Sequence, residues 1–253
     1  MPNQFVWYEL MTTDAKAAED FYRKVVGWKT QDASQPGMAY TLLVAGEVPT
    51  AGLMTLPKEA CDAGARPAWV GYVGVNDVDA YVGCITKAGG KVHVPPTDIP
   101  NIGRFAMVAD PQGIVFNLFR PVSDMPQPSA AATPGTVGWH ELLANDGEKA
   151  FAFYADLFGW TKDEAMDMGA MGRYQLFAAG GAAIGGMMTK PPGVPHPFWT
   201  YYFNVDAIGV ALERLKAAGG SVINGPMEVP GGNWIVQGLD PQGAMFSLIS
   251  TKA

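Results

Sequence analysis

The chain states its pattern twice. Trp7-Tyr8-Glu9-Leu10, Phe21-Tyr22 and Gly27-Trp28 return as Trp139-His140-Glu141-Leu142, Phe153-Tyr154 and Gly159-Trp160, displaced by 132 positions. Further along the displacement becomes 130: Trp69, Tyr72 and Val75 match Trp199, Tyr202 and Val205, and Asp110-Pro-Gln-Gly113 matches Asp240-Pro-Gln-Gly243. Solenoid units recur at roughly 20–50 residues, so a repeat this long is a duplicated domain. Between the copies, the stretch from Pro121 to Thr136 carries four prolines among small polar residues and can continue neither strand nor helix. The reading is therefore domain 1 at residues 1–121, a linker at 122–136 and domain 2 at 137–253.

Each half divides again. Gln4 to Thr12 is rich in aromatic and apolar residues and reads as a strand. Thr13 or Asp14 can cap the next segment, where Ala17, Ala18, Phe21, Tyr22, Val25 and Val26 recur at helical spacing until Gly27 stops them. Three short apolar runs follow, Trp28 to Gln31, Met38 to Ala45 and Thr50 to Leu56. The order then restarts: a strand at Ala68 to Val75, a helix at Val78 to Ala88 closed by Gly89-Gly90, and strands at Lys91 to Val94, Arg104 to Ala109 and Ile114 to Phe119. Asp110-Pro-Gln-Gly113 is turn chemistry, with Pro presetting φ and Gly taking a positive φ. Each half thus holds two β-α-β-β-β modules, and the chain four.

Bulk properties exclude several classes. A net charge of -7, with no Lys/Arg stripe, gives polyanion binding no electrostatic basis, so nucleic acid is not expected as a partner. The two cysteines, Cys61 and Cys84, have no counterparts in the other half and belong to no shared disulfide or metal framework. The start, Met-Pro-Asn-Gln-Phe-Val-Trp, lacks a basic segment followed by an apolar core, and no run approaches the ~18 apolar residues of a membrane span. A cytoplasmic protein with no membrane partner is the expectation.

Phe-Tyr ahead of Gly-Trp on the first helix, and Asp-Pro-x-Gly before the last strand, make the chain resemble the vicinal oxygen chelate superfamily of glyoxalase I, bleomycin-resistance proteins and extradiol dioxygenases. The likeness covers both halves and is strongest to tandem two-domain glyoxalase-like members related to lactoylglutathione lyase. It implies an α+β fold of tandem glyoxalase-like domains, in which four βαβββ modules form two curved mixed-sheet cups. It also implies up to four metal ligands per cup. Those positions fall at Trp7, near Gly52, near Val70 and at Asn117 in the first half, and at Trp139, near Gly186, near Thr200 and at Ser247 in the second; none is His, Glu or Asp. No metal and no other cofactor is therefore expected.

Glu9 and Glu141 are the candidate catalytic residues. They stand two positions from Trp7 and Trp139, and strand alternation puts them on the same face, which the resemblance turns into the cup. A carboxylate among Trp and Met side chains could act as a general base; the structural alternative is an acceptor for nearby Tyr, Trp or backbone donors. Trp7, Tyr72, Trp139 and Tyr202 share the cup parity and could stack on a planar ligand, or else fill core, whereas Trp69 and Trp199 have core parity. Asn117 and Ser247 could hydrogen-bond a ligand from the cup floor, and Arg104 and Trp234, which match across the repeat, could bind an anion in one cup and stack in the other. Met54, Met107, Met187 and Met188 would add soft surface. His140 lies beside Trp139 off its face and reads as structural, and with His93 and His196 it makes no ligand cluster. The expected function is binding of a planar or aromatic small molecule in a metal-free cup in each domain, by a chain that could be a homodimer. The alternative is a lyase or isomerase using a Glu base or an unrecognised metal site.

Overall fold

The computed structural model describes residues 3–123 and 132–253. Residues 124–131 of the expected linker lie outside the described residues. In the first half, β1 (Phe5–Thr12) leads into α1 (Ala15–Val25) and then β2 (Lys29–Asp32), β3 (Thr41–Ala45) and β4 (Val48–Thr55). A five-residue helix, α2 (Lys58–Asp62), connects to β5 (Ala68–Gly74), α3 (Val78–Lys87), β6 (Lys91–Ile99), β7 (Gly103–Ala109) and β8 (Val115–Pro121). The second half repeats the order with β9 (Val137–Ala144), α4 (Gly147–Phe158), β10 (Thr161–Asp167), β11 (Arg173–Ala178), β12 (Ala183–Thr189), β13 (Phe198–Asn204), α5 (Ile208–Ala217), β14 (Ser221–Val229), β15 (Asn233–Leu239) and β16 (Met245–Ser250). These are the four modules of the sequence reading, with α2 added.

Helix boundaries follow local chemistry. The Asp14, Asp77 and Asp146 carboxylates accept from the backbone N–H groups of Ala17, Ala80 and Lys149, so three of the four module helices start on an Asp cap. α4 ends on Gly159 in the left-handed region at φ 72, where a Cβ would be strained.

The strands make two similar eight-stranded mixed sheets, open at both ends and not closed into barrels, in the orders β2-β3-β4-β1-β5-β8-β7-β6 and β10-β11-β12-β9-β13-β16-β15-β14. β6 runs five residues past the expected end at Val94, through Pro95 and Pro96. Proline cannot donate to a ladder, but β6 is an edge strand, and its register shifts between Val92 and Val94 and between Val94 and Thr97 absorb the irregularity.

Packing on the helix side divides the chain differently from the repeat. One compact unit comprises Met1–Val6, Val70–Met125 and His140–Trp199, and the other Trp7–Trp69, Pro126–Trp139 and Thr200–Ala253. Each unit takes the first module of one half and the second module of the other. In the unit holding α1, the Trp69 indole donates to the Tyr22 hydroxyl at 2.8 Å, and Tyr22 donates to Asp240 Oδ2 at 3.1 Å. In the unit holding α4, Trp199 donates to Tyr154 at 3.1 Å and Tyr154 to Asp110 Oδ2 at 3.3 Å. Asp110 Oδ1 also accepts from the N–H groups of Gln112 and Ile114, as Asp240 Oδ1 does from Gln242 and Ala244. The most conspicuous repeated motifs, Phe-Tyr and Asp-Pro-Gln-Gly, thus supply the middle and the acceptor end of a buried relay that joins modules within each unit.

Aromatic contacts complete both cores. Tyr22 meets Trp28, Trp69 and Phe246, and Phe203 meets Trp28 and Trp69. In the other unit Trp160 stacks on Tyr154 and Phe177, and Phe116 meets Tyr154 and Phe158. Such rings bury large apolar areas and add directional preference to the packing. No helix among the described residues is long and apolar enough to cross a membrane.

Candidate functional site

Strand alternation sorts the candidates between two sheet faces. The hydrogen bonds of Trp69 and Trp199 to helix tyrosines mark one as the helix face, as their parity predicted. Arg104 is on that face too. Its guanidinium pairs with both oxygens of Asp79 on α3 at 2.7 and 3.0 Å and with Asp98 at 2.9 Å. Those carboxylates raise its pKa further, and the guanidinium in turn holds the Asp79 carboxyl below the usual range. Trp234 has the parity opposite to Gln237 and Ser247, which lie in register with each other. Arg104 and Trp234 therefore leave the face of Asn117 and Ser247, a correction that follows from the ladder registers of β7 and β15.

His140 is structural. It is 7% exposed, stacks on Phe5 with centroids 4.4 Å apart, and donates from Nδ1 to the Ile184 carbonyl at 2.7 Å. Burial pushes its pKa down to about 4. His93 and His196 are exposed, and among the described residues no three His, Cys, Asp or Glu side chains gather in a metal-binding group.

Glu9 is buried on the face opposite the helices, within a short hydrogen-bonded chain. The Trp7 indole N–H donates to the Tyr40 hydroxyl at 3.1 Å, and Tyr40 donates to Glu9 Oε2 at 2.9 Å. Burial and then the Glu9 charge raise the Tyr40 pKa well above its ordinary value, so Tyr40 remains a donor. Glu9 lies in register with Gly52, and a Cβ at Gly52 would collide with the Tyr40 ring and hydroxyl. Glycine at this position is what admits the ring.

The second half repeats this element in part. Glu141 lies in register with Gly186, and a Cβ there would collide with the Tyr174 ring. Met54 and Met188 share the faces of Glu9 and Glu141, whereas Met187 is in register with Leu142 and buried on the other. Tyr40 and Tyr174 were absent from the sequence reading, yet a signal existed: Tyr40-Thr-Leu-Leu-Val-Ala45 returns as Tyr174-Gln-Leu-Phe-Ala-Ala179.

Asn117 and Ser247 differ most between the halves. Asn117 is in register with Tyr72 on β5 and Met107 on β7, and Ser247 with Tyr202 on β13 and Gln237 on β15. Ser247 shares a hydrogen bond with Thr200 at 2.9 Å. Gln237 donates to the Tyr202 hydroxyl at 2.7 Å and accepts from Asn224 at 3.1 Å. Where the second half has Thr200 and Gln237, the first has Val70 and Met107, which offer no comparable hydrogen-bonding group. Asn117 is fully buried, and neither Oδ1 nor Nδ2 has a partner. An unpaired buried polar group costs about 1–3 kcal/mol, so this amide is held at a loss.

Both halves match a family model described as the Glyoxalase/Bleomycin resistance protein/Dioxygenase superfamily, over residues 4–118 and 136–248. "Putative glyoxylase CFP32" of Mycobacterium tuberculosis (strain CDC 1551 / Oshkosh) is 35% identical over 246 residues, spanning 96% of this chain and 93% of the relative. "Anthracycline biosynthesis protein DauV" of Streptomyces sp. (strain C5) is 30% identical over 266 residues, spanning 99% and 94%. Among solved structures, the Mn(II)-bound glyoxalase from Novosphingobium aromaticivorans superposes with a TM-score of 0.70 at 16% identity, covering 99% of this chain and 83% of that one. At that identity the structural likeness is one of fold.

Proposed function

The chain belongs to the glyoxalase/bleomycin resistance protein/dioxygenase superfamily, and on that footing we propose that it binds planar small molecules without a divalent metal at the family's ligand positions. The observation that carries this reading is the pair of tyrosines over glycine. The resemblance puts a metal ligand near Gly52 and Gly186, where the rings of Tyr40 and Tyr174 occupy the space a side chain would need. The other equivalent positions hold Trp7, Val70 and Asn117, and Trp139, Thr200 and Ser247. A divalent ion needs three or four N, O or S donors, ordinarily with an anion or imidazole among them, and these residues do not fit one.

Trp7, Tyr72, Trp139 and Tyr202 supply stacking surface for a flat ligand. A relative named for anthracycline biosynthesis fits this reading, since anthracyclines are planar fused-ring compounds. The -7 charge leaves nucleic acid outside the proposed partners; the proposed setting is cytoplasmic, away from membranes, and a homodimer is compatible with it.

Calorimetric titration of EDTA-dialysed protein with Mn(II) tests the proposal. The expected result is no stoichiometric heat and the same thermal midpoint before and after dialysis. A one-to-one complex that raises the midpoint would overturn it, because a ligand specific for the folded state must stabilise that state.

The burial of Glu9 favours a second reading, proton transfer by this carboxylate. Under the binding reading, Glu9→Gln still accepts from Tyr40 through its amide oxygen. It should cost less than about 1.5 kcal/mol in urea unfolding and leave ligand affinity intact. A variant that keeps binding but loses turnover of an assayed substrate would move the assignment to proton transfer.

A further inference from the structure

We propose that Asn117 anchors the edge of the bound molecule, and that this molecule is a planar ring carrying an N–H donor beside a carbonyl acceptor, as a cyclic amide does. The inference rests on the metal-free reading above and adds the ligand's chemistry to it. Among the described residues, the other buried polar atoms without a partner, Thr12 Oγ1, Arg214 Nε and Gln242 Oε1, come one to a side chain, whereas Asn117 has two. A carboxamide presents its acceptor and a donor side by side on one edge. The complement that satisfies both at once is another edge of the same kind.

The repeat shows how the same place can satisfy its polar groups within the protein. Ser247, at the equivalent position, pairs with Thr200, and the neighbouring Gln237 is engaged by Tyr202 and Asn224. Around this position the Thr and Gln give way to Val70 and Met107, and the Ser to the amide of Asn117. The first half therefore retains hydrogen-bonding capacity that its own strands do not use.

Approach to the amide is governed by Met107. It is directly cross-strand from Asn117, half-buried and unbranched, so it can be displaced at low cost. Tyr72, cross-strand on the other side, presents a ring against which a flat molecule can lie.

The test uses 2-quinolone, a planar cyclic amide, and 1-methyl-2-quinolone, which keeps the ring and carbonyl but has lost the N–H. Affinities are measured by tryptophan fluorescence and calorimetry on the full chain. The wild type is expected to bind 2-quinolone roughly 10- to 100-fold more tightly than its methyl derivative. Asn117→Leu, which removes no hydrogen bond within the protein, should melt no lower than wild type and bind the two probes about equally. Equal affinities on the wild type would overturn the amide-edge inference while leaving metal-free binding of flat molecules intact. Binding of neither probe would overturn both, and stoichiometric Mn(II) binding would overturn the wider reading by itself. The wild-type comparison requires no variant, so a poorly folding Asn117→Leu would not protect the inference.

Discussion

Replacing Asp240 by Ala is expected to lower the free energy of unfolding by about 3–5 kcal/mol, a large part of the ~5–15 kcal/mol that holds a domain together. The carboxylate accepts from the backbone N–H groups of Gln242 and Ala244 and from the Tyr22 hydroxyl, and it is 4% exposed. Removing it leaves three donors without their acceptor, each at about 1–3 kcal/mol before water relieves part of the loss. Tyr22→Phe should cost less, about 1–2 kcal/mol, because the backbone bonds survive and only the Trp69 and Asp240 links are lost. Urea unfolding of both single variants and the double variant checks this. The two losses should fall short of additive, since both changes remove the Tyr22 link to Asp240. A loss below about 1 kcal/mol for Asp240→Ala would show that the relay does not hold its two modules together.

The second large effect is a pH dependence centred on His140. Its pKa is about 4 in the folded chain against 6.5 for the free side chain, and burial is the leading cause. Between those values the unfolded state binds more protons, so stability rises with pH across the window. The contribution is complete above 6.5 and is lost as pH falls toward 4, amounting to about 3 kcal/mol at most. Asp110 and Asp240 act in the opposite sense. Burial raises both pKa values, so their contribution is complete below 3.8 and fades as pH rises through the raised values. Because these terms overlap, the informative quantity is the difference between wild type and His140→Gln, followed by urea unfolding from pH 7 to pH 4. That difference should shrink as the medium is acidified. A constant difference would mean that His140 becomes protonated without unfolding pressure, and that its burial against Phe5 does not impose the neutral form.

How far these properties were legible depends on the range over which each is set. Module order could be read because it rests on local chemistry: helical spacing from Ala17 to Val26, Asp caps at Asp14 and Asp146, and the turn at Asp110 to Gly113. Strand parity also sufficed for Trp69 and Trp199. It does not place Arg104 and Trp234 relative to Asn117 and Ser247, because that relation depends on ladder register between strands. The extension of β6 beyond Val94 is not legible locally, because proline reads as a stop except on an edge strand.

The chain by itself determined a duplicated α+β fold, its family and the absence of His, Glu and Asp at the positions where the resemblance puts metal ligands, because repeats and local periodicity are written in residue order. Tertiary structure decided what those positions do. Tyr40 comes to lie over Gly52 and beside Glu9 only because β4 pairs with β1. Asn117 lacks partners, and Ser247 has one, because strand pairing surrounds otherwise equivalent positions with different neighbours, Val70 and Met107 in one half and Thr200 and Gln237 in the other. Hydrogen-bond satisfaction belongs to a set of residues brought together across strands, so no stretch of sequence contains it.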